Sequence, residues 1–207
     1  MSGRNNSRER LLDAADELMY ARGYEAVSVA DLCAAADARK GSFYHWWPSK
    51  RDLTLAMLGR AMERNRTRLL VPIFGAPGLV KEKFHQYADA LADGLAAKRD
   101  KSGHVVGCRF GNFAVELSTR DPVIRKQVAA ALAEIGQVFE DAIQEGIETG
   151  ELHAGIDPAD SATTILAIME GLMVLAKAND DPDLLRRLGD DAERLLTLDA
   201  QEKRRPH

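Results

Sequence analysis

The stretch from residue 37 to residue 53, DARKGSFYHWWPSKRDL, collects cations, hydroxyl groups and a glycine within a few positions. Arg39 and Lys40 can contact guanine or phosphate, and Ser42 can hydrogen-bond a base or a phosphate. Gly41 lets another molecule approach the backbone closely. This chemistry suits double-stranded DNA, although a solvated basic face on a small helical domain has the same composition. The other candidate contacts are Ser28, Tyr44, His45 and Lys50.

A second candidate for chemistry is Cys108, in the string GHVVGCRFGNFAVE. It follows Gly107 and is predicted to lie in the first turn of a helix, a position that favours a thiolate. His104 and Arg109 are close in sequence. Three interpretations stay open: a thiol that senses electrophiles or oxidants, a pocket residue without chemistry, and a small buried apolar residue.

Several classes of site are not expected from this sequence. Cys33 is predicted to be a core residue, and it lies too far from Cys108 for a zinc or C-x-x-C motif. We therefore predict no metal and no cofactor. Cys108 and His104 have no orienting acid or oxyanion signature nearby, so we predict that the protein is not an enzyme.

The composition fits a globular protein of one or two domains. The chain has 207 residues, of which 45% are hydrophobic and 29% charged. No apolar run reaches the roughly 18 residues that a membrane span needs. The N-terminus, MSGRNNSRER, lacks the apolar centre of a secretory signal. We expect a cytoplasmic protein with no membrane partner.

The charge is unevenly distributed along the chain. Residues 1–70 contain 12 Lys and Arg against 9 Asp and Glu, whereas residues 71–207 contain 16 against 23. A mildly basic N-terminal part joined to an acidic remainder is consistent with a local contact to nucleic acid. The net charge of −4 argues against a protein that coats nucleic acid over its whole surface.

Helical periodicity predicts an all-α fold of nine helices. Three short N-terminal helices precede six longer ones. The second and third helices are separated by a short turn, in the helix-turn-helix arrangement. We predict a DNA-binding domain at residues 1–53, an effector-binding and dimerisation domain at 54–200, and a disordered tail at 201–207.

The third helix divides its side chains between two faces. Phe43, Trp46 and Trp47 fall at positions i, i+3 and i+4, so they share one face, which is predicted to pack inward. The basic and hydroxyl-bearing residues remain on the opposite face. The eighth helix, over residues 161–178, is apolar nearly all round, so a second subunit is expected to cover part of it.

The segment SVADLCAAADARKGSFYHWWPSKRDL resembles the DNA-binding signature of the TetR family of regulators. The matching positions include Ser28, Lys40–Ser42, Phe43–Tyr44 and Ser49–Lys50. Asp37 and Arg39 depart from it, since the family has mostly glycine and a capping Ser or Thr there. The resemblance implies a homodimeric repressor that binds a near-palindromic DNA operator, and a C-terminal pocket whose ligand releases the DNA. An interaction or DNA-binding module without a ligand switch is the alternative.

The string GCRFGNFAVE resembles a TetR subgroup with acrylate-responsive and N-ethylmaleimide-responsive repressors, in which the matching cysteine is implicated in sensing. By this resemblance the effector is a small molecule or an electrophile. The implied pocket residues are Phe84, Tyr87, Cys108, Asn112, Phe113, Glu116, Phe139, Met169 and Met173. The residues predicted at a dimer interface through helices eight and nine are Leu172, Leu175, Leu185, Leu188 and Leu195.

Overall fold

A computed structural model describes the backbone of residues 2–202 and the side chains of residues 7–197. Over these residues the chain forms nine helices and no strand, which confirms the predicted all-α fold. The fourth helix runs without a break through a π-helical segment. The helices are α1 (Ser2–Arg22), α2 (Val29–Ala35), α3 (Lys40–Trp46), α4 (Lys50–Asn65, then the π segment Arg66–Leu70, then Val71–Phe74), α5 (Val80–Ser102), α6 (Arg109–Leu117), α7 (Pro122–Glu148), α8 (Pro158–Asn179) and α9 (Arg187–Glu202), with a 3-10 turn at Pro182–Arg186.

The starts of the N-terminal helices follow from side-chain caps. Ser28 Oγ accepts a hydrogen bond from the Asp31 amide at 3.1 Å, and the Asp31 carboxylate accepts one from the Ser28 amide at 2.8 Å. This reciprocal pair starts α2, and the hydrogen bonds from Ser28 lower the pKa of Asp31. Before α4, Ser49 Oγ accepts a hydrogen bond from the Asp52 amide at 3.2 Å and donates one to the Asp52 carboxylate at 2.6 Å.

Aspartates before prolines start the later helices. The Asp121 carboxylate accepts hydrogen bonds from the amides of Val123 and Ile124 at 2.9 and 3.1 Å. The Asp157 carboxylate accepts hydrogen bonds from the amides of Ala159 and Asp160 in the first turn of α8, both at 3.1 Å. The proline that follows each aspartate has no amide hydrogen to satisfy, so both helices begin where the sequence predicts.

The chain divides into two compact units. The first unit comprises residues 1–63 together with 109–130, and the second comprises residues 64–108 together with 131–207. The sequence placed a boundary at residue 53, whereas the first unit includes more of α4 and takes in α6. The physical reason is a set of charged contacts that tie α6 to α1, described below.

The predicted tail at 201–207 is only partly described. Helix α9 continues through Glu202, and residues 203–207 lie outside the described residues.

The core of the second unit is built around four aromatic rings. Phe74, Phe84, Tyr87 and Phe139 are buried, and five of their ring pairs have centroids 5.2 to 5.6 Å apart. Most pairs meet edge to face, the arrangement that aromatic quadrupoles favour.

Helix α8 also belongs to the second unit. Among the described residues it is the one helix long and apolar enough to cross a membrane by length and composition, a test that the core helix of a soluble protein also passes. Its side chains Ile165, Met169 and Ala176 are buried within the unit.

Candidate nucleic-acid interface and thiol site

Helix α3 presents two different faces. Phe43 is fully buried, and Trp47 is 6% exposed. Trp46 is half-buried rather than a core residue, and its Nε1 donates a hydrogen bond to Ser7 Oγ at 3.3 Å. On the other face, Ser42 is half-buried and the remaining predicted DNA contacts of the helix and its cap are exposed, namely Arg39, Lys40, Gly41, Tyr44 and His45.

The turn before α3 is held by a residue that sequence reasoning missed. Asp37 adopts a left-handed backbone with a φ of 43°, a conformation that aspartate tolerates better than most residues. The Arg10 guanidinium donates to the carbonyl oxygens of Ala36 and Asp37 at 2.7 and 3.0 Å. Arg10 thereby links α1 to the helix-turn-helix turn. No local sequence signal marks such a contact across 26 residues.

Arg39 occupies the N-cap of α3 without forming a cap. Its backbone is extended, with φ −82° and ψ 151°, and its side chain makes no capping hydrogen bond. The carbonyl of Arg39 accepts the first helical hydrogen bonds, from the amides of Ser42 and Phe43 at 2.9 and 3.2 Å. The exposed guanidinium is therefore available to a partner outside the chain.

Lys50, one of the candidate DNA contacts, is engaged within the chain. Its ammonium donates to the carbonyl oxygens of Tyr24 and Val27, each at 3.0 Å. It also lies 3.9 Å from the centroid of the Tyr24 ring, a cation–π distance. These contacts tie the loop between α1 and α2 to the start of α4. Lys50 is thus a structural cation in this unit.

Replacing Lys50 by methionine is expected to destabilise the protein by about 1.5–3 kcal/mol, because two carbonyls lose a charged donor. Urea unfolding at pH 7 measures this change. The matched control is Lys40→Met, which removes an exposed lysine of the same unit and is expected to change the free energy of unfolding by less than about 0.5 kcal/mol. Equal effects of the two variants would contradict the structural role of Lys50.

Cys108 is half-buried and immediately precedes α6. The segment leading to it packs on the end of α8: the Val105 amide donates to Asp180 Oδ1 at 2.7 Å. Gly107 has a φ of 74°, and a Cβ at that position would lie 3.3 Å from the Met173 carbonyl oxygen. The thiol hydrogen-bonds the carboxyl group of Glu170. Cys33, by contrast, is a core residue, and burial raises its pKa.

Glu170 belongs to a polar cluster in the second unit, which we define as Asn65, Tyr87, Cys108 and Glu170; Tyr87 is buried and the other three residues are half-buried. The Glu170 Oε1 atom is buried and has no hydrogen-bond partner among the described residues. Burial raises the pKa of Glu170, and the hydrogen bond with Cys108 opposes that shift. Burial also raises the pKa of Tyr87, whose hydroxyl hydrogen-bonds Asn65. A buried carboxyl oxygen without a hydrogen bond lowers the free energy of unfolding, and α8 offers Glu170 mostly apolar neighbours.

Replacing Glu170 by glutamine is expected to stabilise the protein increasingly as the pH rises. The raised pKa means that the folded state holds this proton more tightly than the unfolded state. Stability is therefore lost as the pH climbs from about 4.3, the ordinary glutamate pKa, through the raised value. Glutamine does not titrate and avoids this loss.

Thermal unfolding of wild type and Glu170→Gln between pH 4 and pH 8 tests this prediction. The control is Glu148→Gln, on the exposed side of α7, which is expected to change the transition temperature by a small and constant amount. A difference between Glu170→Gln and wild type that did not change with pH would contradict the burial of an ionisable group at this position.

The residues predicted for an effector pocket fall in both units. Phe84, Tyr87 and Phe139 form part of the aromatic core. Glu116 differs from its predicted pocket position, because its carboxylate accepts hydrogen bonds from the amides of Tyr24 and Glu25 at 2.9 and 2.8 Å. By unit, Cys108, Met169 and Met173 lie in the second with the aromatic core, whereas Asn112, Phe113 and Glu116 lie in the first.

The residues predicted at the dimer interface differ in how much of their surface is exposed. Leu185 and Leu188 are fully buried within one protomer, so they leave no surface exposed to a partner. Leu172 is 7% exposed, and Leu195 is half-buried. The exposed apolar residues of α8 are Val174 and Leu175, at 64% and 52%. The same helix also exposes Thr163, Ala167, Gly171 and Ala178.

Two family models match this chain. Residues 11–57 match the family described as "Bacterial regulatory proteins, tetR family", and residues 86–190, more than half of the chain, match "Tetracyclin repressor-like, C-terminal domain". The chain belongs to the TetR family. The first match covers the helix-turn-helix and its supporting helices. A TetR-family protein with this domain is a DNA-binding transcriptional regulator.

Individual relatives agree with the family. The repressor DhaR of Mycobacterium sp. (strain GP1) is 26% identical over 170 residues, which cover 82% of each chain. The regulatory protein TetR from Rhodobacter sphaeroides superposes with a TM-score of 0.80 at 27% identity, over 91% of this chain and 98% of that one. The reduced form of Escherichia coli NemR shares the fold, with a TM-score of 0.80 at 22% identity over 91% and 95%.

Within the part of the chain that the structure describes, no group of three or more His, Cys, Asp or Glu residues is placed to hold a metal ion.

Proposed function

We propose that this protein is a homodimeric, cytoplasmic repressor that leaves a near-palindromic operator when a thiol-reactive small molecule modifies Cys108. The observation that carries the proposal is the pairing of a half-buried thiol with the carboxyl group of Glu170. The carboxylate form of Glu170 beside the thiol can accept the thiol proton. The repressor NemR of Escherichia coli is 23% identical over 173 residues, which is consistent with a regulator of the same general type.

The chemistry at Cys108 balances without a cofactor. An α,β-unsaturated carbonyl compound supplies an electrophilic carbon, and the Cys108 sulfur bonds to it. The thiol proton passes to the Glu170 carboxylate and then to the carbon next to the carbonyl, so the carboxylate is regenerated. An adduct of this kind adds volume beside a close-packed segment, and packed interiors accommodate added volume poorly.

Helix α3 is the element proposed to contact the DNA. Arg39, Lys40 and His45 are exposed at the N-cap and along α3, a helix of the kind that fits a major groove. Two such helices in a dimer read half-sites about 34 Å apart, one turn of B-DNA. A modified protein that favours another spacing loses affinity by a population shift, which requires only a differential affinity of a few kcal/mol.

The dimer is proposed to form through α8 and α9. Val174 and Leu175 supply exposed apolar surface, and the small residues along the same helix allow a partner helix to approach. Leu195 of α9 is half-buried and borders solvent. Leu175 and Leu195 therefore remain in the proposed interface, and Leu185 and Leu188 are removed from it because they are core residues.

Replacing Cys108 by serine is expected to preserve DNA binding and to abolish release by N-ethylmaleimide. The serine hydroxyl is close to the thiol in shape, although smaller and more polar, and it does not add to the reagent at neutral pH. Fluorescence anisotropy with a duplex from the region upstream of the gene measures both properties. Cys33→Ser is the control and is expected to respond like wild type, since Cys33 is only 6% exposed.

Release of Cys108→Ser by N-ethylmaleimide, to the same extent as wild type, would refute the thiol switch. The second candidate is then a DNA-binding module without a ligand switch. The tight aromatic packing of Phe84, Tyr87 and Phe139 favours it, because these predicted pocket residues already contact one another. DNA affinity that stays constant across a broad screen of ligands and electrophiles would support that candidate.

A further inference from the structure

The chain passes between its two compact units at three points. Two of these points, at residues 63–64 and 130–131, lie within the continuous helices α4 and α7. The third lies at the peptide bond between Cys108 and Arg109, directly before α6 begins. The proposed reactive residue is therefore bonded to the first residue of the other unit.

Arg109 is anchored to α1 within the first unit. Its Nη2 atom lies 2.7 Å from Asp16 Oδ1, and the two side chains are only 16% and 12% exposed. The guanidinium carbon also lies 4.2 Å from the centroid of the Tyr20 ring. Arg109 Nε is buried and finds no acceptor among the described residues. The pair is thus a buried ion pair that is not fully satisfied.

The other end of α6 is anchored to the loop that follows α1. Glu116 accepts the amides of Tyr24 and Glu25, and Gly23 has a φ of 88° beside it. A Cβ at Gly23 would lie 3.1 Å from Glu116 Oε2, so this contact is close. Helix α6 is therefore held to α1 and its following loop at both ends.

Helix α1 in turn holds the helix-turn-helix turn. Arg10, on α1, donates to the carbonyl oxygens of Ala36 and Asp37, where the turn begins. Leu11 of the same helix is fully buried in the first unit. A change in the position of α1 therefore reaches the turn that sets the direction of α3.

We propose that the Arg109–Asp16 ion pair couples the chemical state of Cys108 to α1, and through Arg10 to the helix-turn-helix turn. The proposal rests on the proposed function of Cys108. Consecutive Cα atoms are about 3.8 Å apart across a rigid peptide bond, so a displacement of Cys108 is passed to Arg109. Separating the two charges is unfavourable, because both side chains are largely withdrawn from water. A displacement of Arg109 is therefore expected to shift α1 as well.

Hydrogen–deuterium exchange of the full-length dimer tests the coupling. N-ethylmaleimide is the probe: its double bond accepts the Cys108 sulfur on one carbon and the thiol proton on the other. Labelling is expected to raise the exchange rate of the α1 amides at residues 11–22 at least tenfold in wild type. In Asp16→Asn, labelled and unlabelled protein are expected to differ by less than threefold.

The matched control is Asp13→Asn, on the same helix, which removes an ion pair of 2.8 Å with Arg60 but leaves Asp16 in place. This variant is expected to respond to labelling like wild type. Asp16→Asn with Arg109→Gln removes both buried charges at once, so it tests the coupling without an unpaired cation. Cys108→Trp supplies a steric load without a chemical reagent and is expected to raise α1 exchange in the unlabelled protein.

Several outcomes are decisive. The coupling is overturned if neither labelling nor Cys108→Trp changes the exchange rate of the α1 amides. It is also overturned if Asp16→Asn and the double variant respond to labelling as strongly as Asp13→Asn. DNA affinity is measured on the same samples. Faster α1 exchange on labelling with unchanged DNA affinity would uphold the coupling and refute the proposed thiol-controlled release.

Discussion

Gly41→Ala is expected to weaken operator binding at least tenfold, a loss of about 1.4 kcal/mol, while the protein becomes no less stable. A Cβ added to Gly41 meets nothing within 4 Å, and its backbone does not require glycine. The fold itself has no need of glycine there, and alanine is favoured in a helix by up to about 1 kcal/mol. The residue nevertheless lies exposed on the DNA-facing side of α3. We infer that glycine is present because DNA approaches the backbone at this point.

The prediction is checked by anisotropy titration with the upstream duplex and by urea unfolding of the same samples. Gly94→Ala is the matched control, because Gly94 also lies inside a helix, is exposed and has open space around it. It is expected to gain similar stability without a change in DNA affinity. If Gly41→Ala bound DNA as tightly as wild type, α3 would not approach DNA at this residue.

The sequence predicted the helix-turn-helix well because its determinants are local. Ser28 and Asp31, three residues apart, start α2, and their reciprocal hydrogen bonds are present. Asp37 and Arg39, the two departures from the family signature, take a left-handed backbone and leave α3 without a side-chain cap. These features depend on neighbours within one helical turn, so the order of residues is enough to reveal them.

The errors concern charged side chains with distant backbone partners. Lys50 and Glu116 have the composition of surface or pocket groups, but their partners lie 23 to 92 residues away. Backbone carbonyls and amides occur at every position, so nothing in a sequence marks which of them will accept or donate. The pairing of Arg109 with Asp16 joins two side chains 93 residues apart, and the many charged residues of the chain leave its partner unmarked.

The dimer residues were hard to predict because an apolar side chain does not show whether its own protomer or a partner will cover it. Leu185 and Leu188 have the same character as Leu175, yet only Leu175 is exposed. The 3-10 turn at Pro182–Arg186 directs Leu185 into the core of its own protomer. Which residues of α8 are exposed depends on how the rest of the second unit packs against this helix, and the sequence does not show that packing.

Phe139→Ala is expected to destabilise the protein by about 3–5 kcal/mol, enough to unfold a protein of ordinary stability in mild denaturant. Phe139 is fully buried, and its ring contacts those of Phe74, Phe84 and Tyr87 at centroid distances of 5.2 to 5.6 Å. Truncation removes three ring contacts and leaves a cavity that the other rings cannot close without losing their own edge-to-face geometry.

Comparing Phe139→Ala with Phe139→Leu by urea unfolding separates core packing from ligand contact. Leucine restores most of the volume, so Phe139→Leu is expected to recover more than half of the lost stability if the position is core. A pocket residue behaves differently: its truncation enlarges a space that ligands already enter and costs less than about 1 kcal/mol. A loss of unfolding free energy this small, together with altered effector selectivity, would show that Phe139 lines a ligand pocket. The large loss would leave the polar cluster of Asn65, Tyr87, Cys108 and Glu170 as the chemically distinctive part of the second unit.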